Sequence, residues 1–152
     1  MSESKRRVLF VCIHNSARSQ MAEAFLKKYG GNAYDVESAG LEPGRMNPNV
    51  ITVMGEVGID LSKKTTQGVI DLYKKGNAYD VVITVCDGAS AEKCPVFAGG
   101  GKRMAWFFED PSSYIGSAEE VLQHTRKIRD EIEKTVLNFI KEANTTVFRA
   151  DH

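Results

Sequence analysis

The stretch that most constrains this chain is an apolar run that breaks into a loop and restarts as a helix. Arg7-Val8-Leu9-Phe10-Val11 is apolar at every position after the first, the pattern of a strand covered on both faces, as in a parallel sheet. It runs into Cys12-Ile13-His14-Asn15-Ser16-Ala17-Arg18-Ser19. A helical segment follows from Ser19 to Tyr29, with Met21, Ala22, Phe25 and Leu26 on one face and Gly30-Gly31 at its end. Cysteine, five residues and arginine is a spacing that lets backbone amides wrap a tetrahedral oxyanion. The N–H groups of residues 13 to 18 can turn inward, the helix presents its positive end, and Arg18 can hold two oxygens with its planar fork. The same partial charges stabilise a thiolate, so Cys12 is expected to be a nucleophile rather than a packing residue. A bare Cys-x5-Arg match is common by chance. The strand before it and the helix after it give this one its weight.

The alternation continues along the chain. Tyr34 to Ala39 reads as a second strand closed by Gly40, and Asn47-Pro48 opens a helix from Val50 to Val57 that ends at Gly58. Thr65 to Tyr73 is expected to be helical, stopped by Gly76-Asn77. Tyr79 to Cys86 is the clearest β-branched run, again a central strand, and Lys102 to Phe108 makes a fourth, shorter one. Ser117-Ala118-Glu119-Glu120 is a capping box that starts the longest helix. Its apolar stripe is Val121, Thr125, Ile128, Ile132, Val136, Phe139 and Ile140. Residues 144–152 read as a tail. The expected fold is α/β: one domain over residues 1–152, its core about 6–142, with a four-stranded parallel sheet and helices on both faces. Ligands in such folds bind beyond the carboxyl ends of the strands, and Cys12 and Cys86 both fall at such ends.

Charge argues against whole classes of function. Lys plus Arg equals Asp plus Glu at 20 each, which leaves no electrostatic footprint for nucleic acid or an anionic membrane. No apolar stretch reaches membrane-spanning length and the start lacks a signal-peptide core, so a cytoplasmic protein is expected. A monomer is the expected assembly. Three cysteines in a reducing compartment are more readily thiols with chemistry than a disulfide framework.

Two further segments carry chemical groups. Asp110-Pro111 follows Trp106-Phe107-Phe108-Glu109. A carboxylic acid beside a thiolate and an anion cradle could protonate a leaving oxygen. On spacing alone an ordinary turn is the simpler reading, because Asp-Pro favours turns, and Glu109 is a competing acid. Cys86 and Cys94 bracket seven small or polar residues, with Gly99-Gly100-Gly101 soon after. On a helix their Cα atoms would lie roughly 12 Å apart at about 1.5 Å per residue. A disulfide needs about 4.4–6.8 Å, so a bond between them requires an open loop or a helix that unwinds. Seven intervening residues is not zinc-ligand spacing, and no metal site is expected. Two unrelated thiols remain the plain alternative. The histidines contribute little: His14 lies in the cradle loop, His124 on the polar side of a helix, and His152 is the last residue.

Taken together, these residues resemble the thioredoxin-coupled arsenate reductases, which are built on the low-molecular-weight protein tyrosine phosphatase fold. The resemblance covers roughly residues 7 to 142. It rests on the run from Val11 to Glu23, on Ser38-Ala39-Gly40, on Cys86 through Pro95, and on Trp106 through Pro111. Phosphatases of this fold usually have proline where this chain has Gln20, and a tyrosine pair where it has Ser112-Ser113. Cys94-Pro95 points to the reductases.

The resemblance implies a relay. Cys12 attacks arsenate, or binds a phosphate-like oxyanion, within a cradle of Ile13, His14, Asn15, Ser16, Ala17, Arg18 and Ser19, and Asp110 assists the leaving group. Cys86 then attacks Cys12, releasing arsenite, and Cys94 attacks Cys86 to present a disulfide to thioredoxin. Asn15 would hold the loop, and Ser19 would hydrogen-bond Cys12. The chain departs from its relatives in several places: Ala17 where cysteine is frequent, His14 where glycine is common, and a gap between Cys86 and Cys94 one residue longer than in some. Some relatives bind potassium through Asn, Glu, Ser and Asp. Asn15, Glu23 and Ser38 match the first three, but Gln67 stands at the Asp position, which argues against potassium. No other cofactor is implied.

Two rival readings follow from the same residues. A phosphotyrosine phosphatase would need Cys12, Arg18 and Asp110 but no redox partner. A phosphate-binding or redox-sensing module would oxidise Cys12 without turnover.

Overall fold

The apolar run forms strand β1, Arg6–Cys12, whose last five residues are all buried. A computed structural model describes residues 5–15, 17–85 and 101–150, with side chains through Ala143. β1 pairs in parallel with β2, Tyr34–Gly40, on one side and with β3, Val81–Thr84, on the other. β3 carries the outer strand β4, Lys102–Ala105, so the order is β2-β1-β3-β4 with every pairing parallel. Being central, β1 has no water-facing side, which is why its sequence does not alternate in polarity. β4 lies at the sheet edge, and the exposed Lys102 and Arg103 discourage pairing with another chain.

Helices cover both faces, as expected for parallel connections. On one face Val8, Phe10, Val36, Val81 and Ile83 pack against α1 (Arg18–Gly30), α2 (Pro48–Gly55) and the long α4 (Ala118–Ala150). On the other, Leu9, Val11 and Val82 pack against Val69 and Leu72 of α3, Val69–Lys74. Successive residues of β1 therefore enter different cores. The stripe on α4 buries Ile128, Ile132, Val136 and Phe139, and the expected capping box is present. Ser117 Oγ accepts from the Glu120 N–H at 3.1 Å and the Glu120 carboxylate from the Ser117 N–H at 3.0 Å. That helix continues through Ala150, past the start of the expected tail.

Several element boundaries differ from the sequence reading: β3 is Val81–Thr84 rather than Tyr79 to Cys86, α2 is Pro48–Gly55 rather than Val50 to Val57, and two further differences have a clear physical cause. The helix expected from Thr65 begins only at Val69. The Gln67 carbonyl accepts from the Gly40 N–H at 2.8 Å and Gly68 bridges Gly40, so tertiary bonds hold 65–68 extended and override helix propensity. The fourth strand ends at Ala105, not Phe108. Past it, Trp106 turns inward between Phe10 and Phe139, with ring centroids 5.6 and 5.7 Å away. This aromatic anchor sets where the following segment, Phe107 to Pro111, leaves the sheet. Among the described residues, no helix is long and apolar enough to cross a membrane.

Candidate active site

Cys12 is the last residue of β1, opposite Gly40, at the carboxyl edge of the sheet. The segment after it is tied to the segment after β2. The carbonyls of Cys12, Ile13 and His14 accept from the N–H groups of Leu41, Glu42 and Gly44 at 3.0, 2.7 and 3.0 Å. With its carbonyls taken on that side, the loop has N–H groups to spare for the other. One of them, from Asn15, donates to Cys12 Sγ at 3.2 Å. The two segments touch so closely that a Cβ on Gly40 would lie 2.8 Å from backbone atoms of Ile13, His14 and Asn15. The glycine in Ser38-Ala39-Gly40 is thus a steric requirement of the cradle.

The loop turns at Asn15, which is left-handed at φ +57°. Asparagine tolerates this conformation better than other side chains. Here four hydrogen bonds hold it. Asn15 Nδ2 donates to Ser19 Oγ at 2.8 Å and to Ser38 Oγ at 2.9 Å. Its Oδ1 accepts from Gln20 Nε2 and from the Gln67 N–H, both at 3.1 Å. Ser19 Oγ, which accepts from Asn15, lies 3.0 Å from Cys12 Sγ and can donate its own hydrogen to a Cys12 thiolate. Ser38 likewise passes its hydrogen to Glu23 Oε1. Cys12 Sγ thus has a backbone N–H and a hydroxyl within hydrogen-bond distance.

Arg18 starts α1 and is 3% exposed. Its Nη1 donates to the Phe108 carbonyl at 3.1 Å, and Nη2 lies 3.6 Å from Asp110 Oδ2. The guanidinium Nε is buried without a hydrogen-bond partner among the described residues. A buried cation with an unspent donor and a single distant carboxylate is poorly compensated unless an anion joins it. Asp110 caps a short 3-10 turn, Pro111–Ser113: its Oδ1 accepts from the Ser112 N–H at 2.9 Å, leaving Oδ2 toward Arg18. The turn read from Asp-Pro exists, and it points the carboxylate toward Arg18. Glu109, by contrast, is 73% exposed and faces His124.

The structure brings Cys12, Ile13, His14, Asn15, Ala17, Arg18, Ser19 and Asp110 to one edge of the sheet. Ser16, Cys86 and Cys94 lie outside the described residues. Cys86 directly follows Val85, whose N–H donates to the Val11 carbonyl at 2.8 Å. The His14 ring turns outward and donates from Nδ1 to the Glu42 carbonyl at 2.9 Å. Three residues with no local sequence signal also matter. Gln20 and Gln67 hold Asn15, and His124, read as polar surface, is mostly buried against the segment that carries Asp110. Their partners lie far away in sequence or across a turn of helix, so no motif announces them.

The residues around Glu23 do not fit a potassium ion. Glu23, 5% exposed on its side chain, is ion-paired through Oε2 with Lys27 and with Lys64, the latter at 3.0 Å. Asn15 Oδ1 is taken by two N–H donors, and Gln67 donates from Nε2 to the Ser38 carbonyl at 2.9 Å. Among the described residues one buried acceptor, Gln20 Oε1, is without a partner. A lone amide oxygen beside two ammonium groups does not make a cation site.

Comparison with known proteins agrees with this geometry. The family model for low molecular weight phosphotyrosine protein phosphatases matches residues 7–148. The chain is 41% identical over 137 residues to the arsenate reductase of Halalkalibacterium halodurans, covering 90% of this chain and 96% of that one. A solved arsenate reductase in its phosphate-binding state is 36% identical, with a TM-score of 0.69 over 90% of this chain and 98% of that one. The thioredoxin-dependent arsenate reductase of Corynebacterium glutamicum is 28% identical, with a TM-score of 0.61 over 90% of this chain and 64% of that one.

Proposed function

Because the chain belongs to the low-molecular-weight phosphotyrosine protein phosphatase family, we propose that it is the family's cysteine cradle put to arsenate reduction. The carrying observation is Cys12 Sγ, within 3.0 and 3.2 Å of two donors, on the same edge as a buried Arg18 with an unspent N–H. An arsenate dianion would take that N–H and compensate the guanidinium charge. The Cys12 thiolate forms an S–As bond while a hydroxyl departs as water, with the proton supplied by Asp110. The Cys86 thiolate attacks Cys12 sulfur, the S–As electron pair passes to arsenic, and arsenite leaves as a Cys12–Cys86 disulfide forms. Cys94 then attacks Cys86, freeing Cys12, and a dithiol of the thioredoxin class reduces Cys86–Cys94. Support for the last steps is the presence of both cysteines in sequence and the description of relatives as arsenate reductases, one of them thioredoxin-dependent.

The test is NADPH consumption with thioredoxin, thioredoxin reductase and arsenate. Wild type should turn over and Cys12→Ser should not; a chain that binds phosphate but neither consumes NADPH nor hydrolyses an aryl phosphate would be a binding or sensing module. A second reading is favoured by Asp110 beside Arg18, the acid that phosphate-ester cleavage needs. Aryl-phosphate hydrolysis that persists without thioredoxin, in a protein inert to arsenate, would establish that reading instead. Since lysines occupy Glu23, the reaction should also run equally well in sodium and potassium salts.

A further inference from the structure

The turn that carries Asp110 is held through Ser112, whose Oγ accepts from Asn47 Nδ2 at 2.7 Å, and is flanked by Arg18 on one side and by α4 on the other. Toward the cradle, Arg18 takes the Phe108 carbonyl and faces Asp110. On the outer side stands His124, on the second turn of α4, its side chain only 17% exposed. Its Nε2 lies 2.7 Å from Glu109 Oε2, the residue directly before Asp110. That nitrogen makes no hydrogen bond of acceptable geometry among the described residues, so the contact is a close approach rather than a linear N–H···O bond. Tyr114, four residues after Asp110, stacks on the same imidazole with centroids 4.1 Å apart and planes at 18°. One ring thus touches both ends of the turn that aims the acid.

The geometry points to His124 as a positioning residue for Asp110: it clips Glu109 and Tyr114 to α4 and so fixes the turn between them. This rests on the reading of Asp110 as the proton donor. The physical ground is the tolerance of proton transfer, which is efficient only within hydrogen-bond reach. Asp110 sits on a turn beyond the sheet, and its carboxylate is 3.6 Å from Arg18, too long to lock it. The long helix α4 is rigid by comparison, packed through Ile128 and Ile132. Glu109 is mostly exposed, so its contact with His124 holds weakly by itself. Joined to a stacked aromatic pair it becomes a two-point attachment. His124 touches no reacting atom, so its removal should act on turnover and leave oxyanion binding alone.

The experiment compares His124→Ala, Tyr114→Phe, Asp110→Asn and the double variant His124→Ala/Asp110→Asn. The measurements are arsenate-dependent NADPH consumption, the dissociation constant for inorganic phosphate, and amide exchange of residues 109–114. His124→Ala should lower kcat about tenfold, part of the effect of a misplaced acid, with phosphate affinity within about twofold of wild type. It should cost nothing further in the Asp110→Asn background. Tyr114→Phe should stay near wild type, since the stack survives. Exchange across 109–114 should quicken in His124→Ala. An unchanged kcat, or an equal loss in both backgrounds, would show that His124 does not act through Asp110. If Asp110→Asn itself is fully active, the acid assignment fails, and exchange alone then judges the clip: unchanged exchange overturns it and faster exchange sustains it.

Discussion

At the scale of single residues, Asn15 shows how a strained backbone is kept. Its left-handed conformation would be unfavourable for most side chains, but both donors and both acceptor positions of its amide are filled. The consequence reaches Cys12 twice, through the Asn15 N–H and through the hydroxyl of Ser19. Asp110 and Glu109 illustrate how geometry separates neighbouring acids. Asp110 Oδ2 faces the buried Arg18, whereas Glu109 faces α4. Asp110→Asn should therefore lower arsenate turnover by roughly 10²–10⁴-fold, the usual scale of general acid–base help, with little change in phosphate affinity. Glu109→Gln should lose far less. A larger loss in Glu109→Gln than in Asp110→Asn, measured as kcat, would reverse the assignment.

At the scale of elements, the cradle is a contact between two strand ends rather than a loop standing alone. β2 ends at Gly40, against the backbone of Ile13 to Asn15, and the 41–44 segment takes three loop carbonyls. An added methyl at Gly40 meets backbone, which cannot swing aside, so Gly40→Ala must displace the cradle. The expected result is a phosphate dissociation constant raised about tenfold or more, with stability lowered by about 1–3 kcal/mol, the usual cost of overpacking. Calorimetric titration and urea unfolding measure both. Unaltered phosphate affinity in a folded Gly40→Ala protein would mean that the cradle does not depend on that contact. The extended 65–68 segment belongs to the same assembly, since Gln67 reaches Gly40, Ser38 and Asn15 at once.

At the scale of the whole molecule, α2 and α4 are joined at the surface by an ion-pair network. Glu56 at the end of α2 accepts from Arg126 and Arg129 of α4. The Arg126 hydrogen bonds, with help from Arg129, hold the Glu56 carboxyl below its ordinary value of 4.5. A carboxyl depressed in the folded state contributes stability above its unfolded value and loses it as pH falls. The melting-temperature gap between wild type and Glu56→Gln should be full near pH 7 and close as pH falls through and below the ordinary carboxyl value of 4.5. A constant gap across that range would remove the electrostatic account. The proposed relay would link distant parts of the chain in another way. Cys94→Ser should complete one arsenate turnover and stall as a Cys12–Cys86 disulfide, as peptide mapping after a single arsenate pulse can establish. Continued thioredoxin-driven turnover by that variant would make Cys94 a bystander.

What the chain determines locally is read from local chemistry. Apolar residues at every position of β1 mean burial on both faces, Gly30-Gly31 ends α1, and the Ser117–Glu120 box starts α4. The spacing of Cys12 and Arg18 sets the cradle, because loop length and helix start are properties of neighbouring residues. The tertiary structure decided the rest, because those bonds join residues far apart along the chain. Gln67 is drawn out of a helix by partners 27 and 52 positions earlier, Gly40 and Asn15. His124 looks like polar surface on the helix period, yet it is covered by Tyr114 and Glu109 from a turn before the helix begins. Lysines fill the surroundings of Glu23, and only the fold brings Lys64 there from beyond α2. A hydrogen-bond donor has no sequence period, so which residues support Cys12 could be settled only by where the chain crosses itself.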